Sequence, residues 1–429
     1  MNSIKHKKIL YIHNDKKNIF IDYLIKSLRQ NNTVNIISNK EILEKNKFEK
    51  IINYLSNPLK SEKEKFYFKY SLYKNKNILK KILLILKFAL AKLNLLFNQS
   101  ALYCFLYKNS KQYKKILSKY DVIICDFRLN KLYNPNKKII FEACASNKVK
   151  VIAWVYSWDN IYQSSVIEHA DYIFVWSKFF EKICIDRHNY TKKQIKITGP
   201  VQFDYLKLSK EKKTRKKNKY ILFACSYGSD PEKTGDNFIK DEIVFLKNLS
   251  SIMETIDKDL KIIVRPYPSA DPADYYSIKN LSNIKIVEFG KFIKRRAHRK
   301  ERIRFDSDFS KKIKQMLNAE LIISFGSTFN IESSYLNKII LHIDYTYVDN
   351  KNSNSYNNFK DNMEYLKILK PYNSPNIIKN EIELKKTLQD ILIHKKLSKY
   401  RKYNNYLKKI FFDDNKLAAN KFNNIISKI

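Results

Sequence analysis

Glycine is nearly missing from this chain. Gly199, Gly228, Gly235, Gly290 and Gly326 are the only five in 429 residues, and the first 198 positions hold none. That scarcity excludes a Walker loop and a G-x-G-x-x-G turn, which need closely spaced glycines to bring backbone against a phosphate. Cysteine is as sparse: Cys104, Cys125, Cys144, Cys184 and Cys225 are odd in number, far apart and form no C-x-x-C. Neither a disulfide framework nor a cysteine zinc site fits that pattern. Several of the five stand in apolar runs, as buried thiols do in reducing compartments. Acidic residues are in short supply too, with 42 Asp and Glu against 83 Lys and Arg, for a net charge of +41. Such a balance favours anionic partners: nucleic acid, an anionic membrane or phosphorylated substrates. The lysines are nevertheless scattered along the whole chain among abundant Asn, Ile and Tyr, as a biased base composition gives, and no RNA-binding signature or basic zipper accompanies them. Nucleic acid is therefore not the expected partner. The N-terminal "MNSIKHKKILYIHND" holds only a short apolar stretch, closed at once by Asp15. It predicts a first strand and not a signal peptide, and the expected compartment is the cytoplasm.

What the chain does have is a long alternation of short β-branched runs with helical patterns, and enough length for two ordinary cores. The first series is "KILYIH" (8–13), "TVNIIS" (33–38), "DVIICDF" (121–127), "KVIAWVY" (150–156) and "DYIFVWS" (171–177). The second is "KYILFACS" (219–226), "LKIIVRPYP" (260–268), "NIKIVEF" (283–289), "ELIISFGS" (320–327) and "KIILHID" (338–344). Strands apolar on both faces and separated by helices predict an α/β chain with parallel sheets. The charged stretch "KLSKEKKTRKKNK" marks the boundary. The expected organisation is two Rossmann-like, doubly wound domains facing a central cleft. Residues 1–206 form the N-terminal one, with a helical insertion over about 45–118; residues 207–400 form the other, and a C-terminal helix in 401–429 packs back on the first. Within the insertion, Lys74, Lys76, Lys80, Lys81, Lys87 and Lys92 fall opposite Ile82, Leu86, Ala89, Leu93 and Phe97 on a helical projection. Internal lysines argue against a membrane span. Two readings remain open: a helix lying on an anionic leaflet, or one packing its apolar face on the sheet.

In open α/β sheets ligands sit beyond the carboxyl ends of the strands, so the residues just past each run carry the functional expectation. In "WVYSWDNIYQSS", Asp159 is placed either as a general base among apolar neighbours or as the cap of a following helix, with Trp158, Asn160 and Tyr162 beside it. Gly199 and Pro200 suit a turn as the chain leaves the first domain. After the next strand, Ser226, Tyr227, Gly228 and Ser229 form a small-residue loop suited to a phosphate. Arg265, braced by Pro266 and Pro268, suits bidentate pairing with a diphosphate. Asp306 and Asp308 make a formal D-x-D. Because they precede a helical pattern, Asp308 or Ser310 is expected as a cap, and no metal is expected. "KFIKRRAHRKERIR" (291–304) is expected to be a basic loop. Finally "FGSTFNIESSYLNKIIL" follows Ser324: Gly326 turns the chain, Ser327 and Thr328 open a helix, and Glu332 lies one turn on. A phosphate-and-ribose cradle and a plain capping box completed by Glu332 both account for those residues.

Taken in order, "YSWDN", "DYIFVWS", "ITGPVQFD", "VRPYP" and "SFGSTFNIESS", over about residues 120–345, resemble GT-B-fold glycosyltransferases and their UDP-N-acetylglucosamine 2-epimerase-like relatives. The likeness is strongest to bacterial surface-polysaccharide transferases of the capsule and CDP-glycerol glycerophosphotransferase types. It implies that Ser327 and Thr328 hold donor phosphates and Glu332 the ribose. Ser226, Gly228, Ser229, Arg265, Ser324 and Gly326 complete the implied donor site. It places Asp159 as the base and His13, Asn14 and Asp15, at the end of the first strand, as acceptor-side contacts; His13 and Asp15 are also expected on the catalytic side, and Trp158 and Asn160 toward the acceptor. The implied partners are a nucleotide-sugar donor, a glycan or lipid-linked acceptor and the anionic inner-membrane surface, with no cofactor and no metal. Arg265 stands where many relatives place a basic residue, often a His before Pro, and the one departure is "FNIESSYLNK" in place of their Gly-rich turns. A nucleotide-sugar 2-epimerase or hydrolase, a glycerophosphotransferase on the same fold, and a basic nucleic-acid-binding protein are the alternative functions.

Overall fold

The apolar runs assemble into two separate parallel sheets. The structure, a computed structural model, describes residues 6–13, 19–38, 116–126, 149–163, 170–210, 219–226, 237–267, 270, 272–288, 291–296, 299–303, 306–345, 347, 364–371, 373–413 and 416–429, with 78, 81, 82 and 85. The chain divides into two compact units, Met1–Asp204 with Ile410–Ile429, and Tyr205–Lys409.

In the first unit, β1 (Lys8–His13), β2 (Thr33–Ser38), β3 (Val122–Asp126), β4 (Lys150–Trp154), β5 (Tyr172–Val175) and β6 (Ile195–Ile197) lie in the order β2-β1-β3-β4-β5-β6, all parallel. The chain starts at β1, steps to one side, then returns to build outward on the other, so the order reverses between β1 and β3. The last helix, Ala418–Ile426, covers the first sheet. Its Phe422 meets Trp154 edge-on at 5.7 Å and Phe174 at 4.6 Å, within a core that also holds Tyr11, Leu24, Leu28 and Ile152. Buried Asp204 accepts the backbone N–H groups of both Ala418 (2.8 Å) and Ala419 (2.9 Å), filling donors that a helix start leaves open. The segment 401–429, expected as one helix, instead forms the end of Leu397–Phe411 and the separate Ala418–Ile426.

In the second unit, β7 (Tyr220–Ala224), β8 (Lys261–Arg265) and β9 (Ile284–Ile286) come first. An antiparallel hairpin, β10 (Lys291–Arg296) and β11 (Arg299–Ile303), follows, and then β12 (Leu321–Ser324), β13 (Ile339–Ile343) and β14 (Ile377–Ile378). The parallel sheet runs β14-β13-β12-β7-β8-β9. Relabelled in sequence order this is the dinucleotide-binding arrangement, with its reversal between β7 and β12. Strands β12 and β13 are buried at every position, as strands covered on both faces must be. The stretch 291–304, expected as a loop, is therefore a hairpin: its charges mask two β-capable runs around Phe292, Ile293 and Ile303 with a two-residue connection. The Asp306–Asn318 helix begins at Asp306, which places Asp308 inside its first turn and not at its cap.

Of the amphipathic segment 77–97, Ile78, Lys81, Ile82 and Ile85 are described, all helical. The three isoleucines, spaced i, i+4, i+7 on one helix face, are 74%, 48% and 53% exposed. Among the described residues no helix is long and apolar enough to cross a membrane.

Candidate functional site

The sheet of the second unit sets four residues in one row across its carboxyl edge. Ser324 on β12 pairs with Ala224 on β7, Ala224 pairs with Arg265 on β8, and Ser324 pairs on its other side with His342 on β13. Just past this row the chain leaves β12 through Phe325, Gly326 and Ser327 and enters the helix Thr328–Tyr335. Gly326 has φ +92°, in the left-handed region that side chains avoid. Space forbids a side chain there as well: a Cβ would stand 2.7 Å from His342 Cε1 and 2.9 Å from Nε2.

The turn is locked by Asn330. Its Oδ1 accepts from Ser324 Oγ (2.7 Å) and from the Ser327 N–H (3.1 Å). Its Nδ2 donates to Tyr403 Oη at 3.2 Å and lies 3.4 Å from His342 Nδ1. Ser327 is the N-cap, its Oγ accepting from the Phe329 N–H at 3.2 Å. Asn330, not Glu332, thus closes the capping box. Glu332 has a different partner, which sequence reasoning missed. Both of its carboxylate oxygens meet Lys312 Nζ, at 2.7 and 2.6 Å, with side-chain exposures of 17% for the lysine and 6% for the glutamate. Lys312 comes from the Asp306–Asn318 helix and rests on the rings of Phe329 (4.4 Å) and Phe309 (5.5 Å). Its spacing from Phe309, Ile313 and Met316 on one helical face is the sequence signal that points inward.

At the end of β7, Ser226 is buried. Its N–H donates to Glu242 Oε1 at 2.5 Å, and its Oγ has no hydrogen-bond partner. Glu242, on the helix Asn237–Ile256, also accepts from Tyr275 Oη at 2.5 Å. Burial pushes the Glu242 carboxyl up to about 8, against smaller lowering by the Tyr275 and Ser226 hydrogen bonds, so near neutral pH it is largely protonated. Burial likewise raises the Cys225 thiol and the Tyr275 phenol. Gly228 and Ser229 lie outside the described residues. Arg265 is buried, and its Nη1 donates to Gln315 Oε1 at 2.6 Å, one turn along the helix from Lys312. The β12, β7 and β8 ends therefore bring Ser226, Arg265, Ser324, Gly326, Ser327 and Thr328 to one edge. An unpartnered hydroxyl, a guanidinium and a helix start there suit a phosphorylated ligand. Among the described residues no group of three His, Cys, Asp or Glu is placed to hold a metal.

In the first unit, Asp159 stands directly before the short helix Asn160–Gln163. Its Oδ1 accepts from Ser157 Oγ at 2.5 Å, while Asn160 Oδ1 accepts the Ser157 N–H at 2.9 Å. Trp158 is buried edge-on against Phe411 at 5.6 Å, so its ring is taken up by packing, and Asn160 is buried too. His13 ends β1, at the order reversal, while Asn14 and Asp15 lie outside the described residues. Asp126, the last residue of the neighbouring β3, shares that edge and was not anticipated.

No family model and no curated protein matches the sequence. Solved structures match along nearly its whole length. S. aureus MnaA in its UDP co-structure is 12% identical with a TM-score of 0.52, covering 98% of this chain and 96% of that one. The UDP-GlcNAc 2-epimerase of Methanocaldococcus jannaschii, in complex with UDP-GlcNAc and UDP, is 15% identical with a TM-score of 0.50, covering 98% and 100%. A third, from Listeria monocytogenes and described as a UDP-N-acetylglucosamine 2-epimerase-type protein, is 10% identical with a TM-score of 0.50, covering 97% and 94%. The chain is thus similar in fold to the UDP-N-acetylglucosamine 2-epimerases: a two-domain α/β architecture of the GT-B type.

Proposed function

We propose that the chain is an enzyme that takes a nucleotide-activated sugar on its second unit and transfers the sugar to a surface-glycan or lipid-linked acceptor. The observation that carries this is the Gly326–Ser327–Thr328 turn at the reversal between β7 and β12, with buried Ser226 and Arg265 on the adjoining strands. A helix start with its positive dipole end supplies a phosphate site, and one turn on Glu332 supplies a carboxylate for ribose hydroxyls. In this reading Asp159 takes the acceptor proton and Arg265 stabilises the departing diphosphate. Solved proteins of the same fold hold UDP and UDP-GlcNAc, which makes uridine nucleotides the first probes.

Titration calorimetry with UDP, CDP and GDP tests the donor site. Glu332→Ala and Arg265→Ala are each expected to weaken the tightest nucleotide by about tenfold or more, the size of a lost charge-assisted hydrogen bond. Asp159→Asn is expected to stop turnover and spare that affinity. Unchanged nucleotide affinity in both donor-site variants would sink the assignment. Donor consumption without any acceptor would instead mark an epimerase or hydrolase.

The same proposal places the enzyme on an anionic membrane surface. The exposed Ile78–Ile82–Ile85 stripe beside Lys81 has the composition of an interfacial helix. In flotation with phosphatidylglycerol vesicles the protein is expected to rise with the lipid. Replacing all three isoleucines by Ser is expected to leave most of it behind, and a variant that floats like wild type refutes the membrane role.

A further inference from the structure

Glu332 sits where a ribose-binding carboxylate is proposed, yet it is already engaged. The Lys312 ammonium touches both of its oxygens, at 2.7 and 2.6 Å. A carboxylate offers about four lone-pair directions, two on each oxygen. The ammonium donates a hydrogen bond to Oε1 and stands in ion-pair contact with Oε2, which is buried and accepts no hydrogen bond, so each oxygen keeps at least one open direction. Two neighbouring acceptor sites on a single planar group are what a cis-diol needs for its two O–H donors.

The lysine is itself held. Phe329 lies under its ammonium at 4.4 Å and Phe309 at 5.5 Å, so a partly desolvated cation is fixed by two ring faces and one carboxylate. Phe329 belongs to the helix start whose N-cap is Ser327, and Glu332 to its next turn. The three side chains therefore form one clamp beside the turn. An ion pair that merely joined two helices would need neither the ring faces nor contact with both oxygens.

We propose that Lys312 is a specificity-determining residue of the donor site. It holds the Glu332 carboxylate correctly turned, so that the site selects ribonucleoside diphosphates over their 2′-deoxy counterparts. This rests on the donor-site reading above and adds to it a residue and a discrimination. Lys312 acts through Glu332 and is a positioning residue.

The test is calorimetry on the full chain with the tightest of UDP, CDP and GDP and with its 2′-deoxy form. Wild type is expected to prefer the ribonucleotide by about tenfold or more, since the deoxy form leaves a buried acceptor unmatched. Lys312→Arg is expected to keep most of that preference, because a guanidinium can still reach both oxygens. Lys312→Met is expected to reduce it to about twofold or less while changing affinity for the deoxy form by under about threefold. Removing the lysine leaves a buried carboxylate alone, which can unfold the second unit. Where Lys312→Met does not fold, Lys312→Gln, whose amide can still donate one hydrogen bond to Glu332, is expected to fold and to show a reduced preference, and a folded Lys312→Gln protein with the wild-type ratio counts equally against the proposal. A folded Lys312→Met protein that keeps the wild-type ratio overturns this proposal and leaves the donor site standing. A wild type that binds none of the three nucleotides overturns both.

Discussion

Gly326→Ala is expected to abolish nucleotide binding and to destabilise the second unit by about 2–4 kcal/mol. Two costs act together. The backbone at φ +92° disfavours any Cβ by about 1–2 kcal/mol. The added methyl also has to displace the His342 ring, which lies 2.7 Å from where it would stand. That ring cannot retreat freely, since His342 is buried and Asn330 lies against its Nδ1 at 3.4 Å. Moving Asn330 releases Ser324 and Ser327 at once, so the turn that presents the phosphate site loses its lock. The measurement is hydrogen exchange across 320–335 together with urea unfolding. Tryptophan emission will not report it, because Trp154, Trp158 and Trp176 all belong to the first unit. Adding His342→Ala should return the steric part and leave the backbone part. If Gly326→Ala unfolds at the wild-type urea concentration, the crowding seen at this turn is not energetically real.

The second large effect is a pH dependence. Glu242 has its carboxyl raised by burial to about 8 in the folded protein, against an ordinary value of 4.5. Between those two limits the folded state holds a proton that the unfolded chain has lost. Stability from this group is therefore complete below about pH 4.5, falls as pH rises, and is gone above about pH 8. The total is on the order of several kcal/mol, and about 5 at most. Glu242→Gln removes the titration but keeps an acceptor for the Ser226 N–H. Urea midpoints of the second unit at pH 5, 6.5 and 8 should decline for wild type and stay nearly level for the variant. Equal slopes would show that Glu242 is not the group responsible. Since Ser226 leads into the proposed phosphate loop, nucleotide affinity is expected to follow the same decline.

Much of the architecture was legible because buried parallel strands announce themselves. "ELIISF" and "KIILHI" admit no solvated face, and their alternation with helical patterns forces crossovers and hence a parallel sheet. Gly326 was legible for a similar reason, as one of very few glycines, placed directly after such a strand. The side chains that complete the site were not. Lys312 and Glu332 are twenty positions apart and meet only because the fold brings two helices of the second unit together. Asp241 and Glu242 stand in the second turn of an amphipathic helix and look like solvent-facing charges, yet both are buried. What hides Glu242 is a tyrosine thirty-three positions later. Trp158, which the resemblance puts toward an acceptor, is buried edge-on against Phe411, a packing partner more than two hundred and fifty positions away that no local pattern reveals. The hairpin at β10 and β11 was obscured because its basic residues dominate the pattern that its apolar residues set.

The first unit is assembled from both ends of the described chain, with Ile410–Ile429 completing what Met1–Asp204 begins. During synthesis the ribosome therefore makes the whole second unit before the Ala418–Ile426 helix emerges. At ordinary elongation rates that interval is on the order of tens of seconds. For that time the face of the first sheet carrying Tyr11, Trp154 and Phe174 has no Phe422 to cover it. The nascent chain must keep a sticky aromatic surface out of trouble until its last helix is delivered. A cell making this protein in quantity is thus expected to rely on chaperones that bind early and let go late.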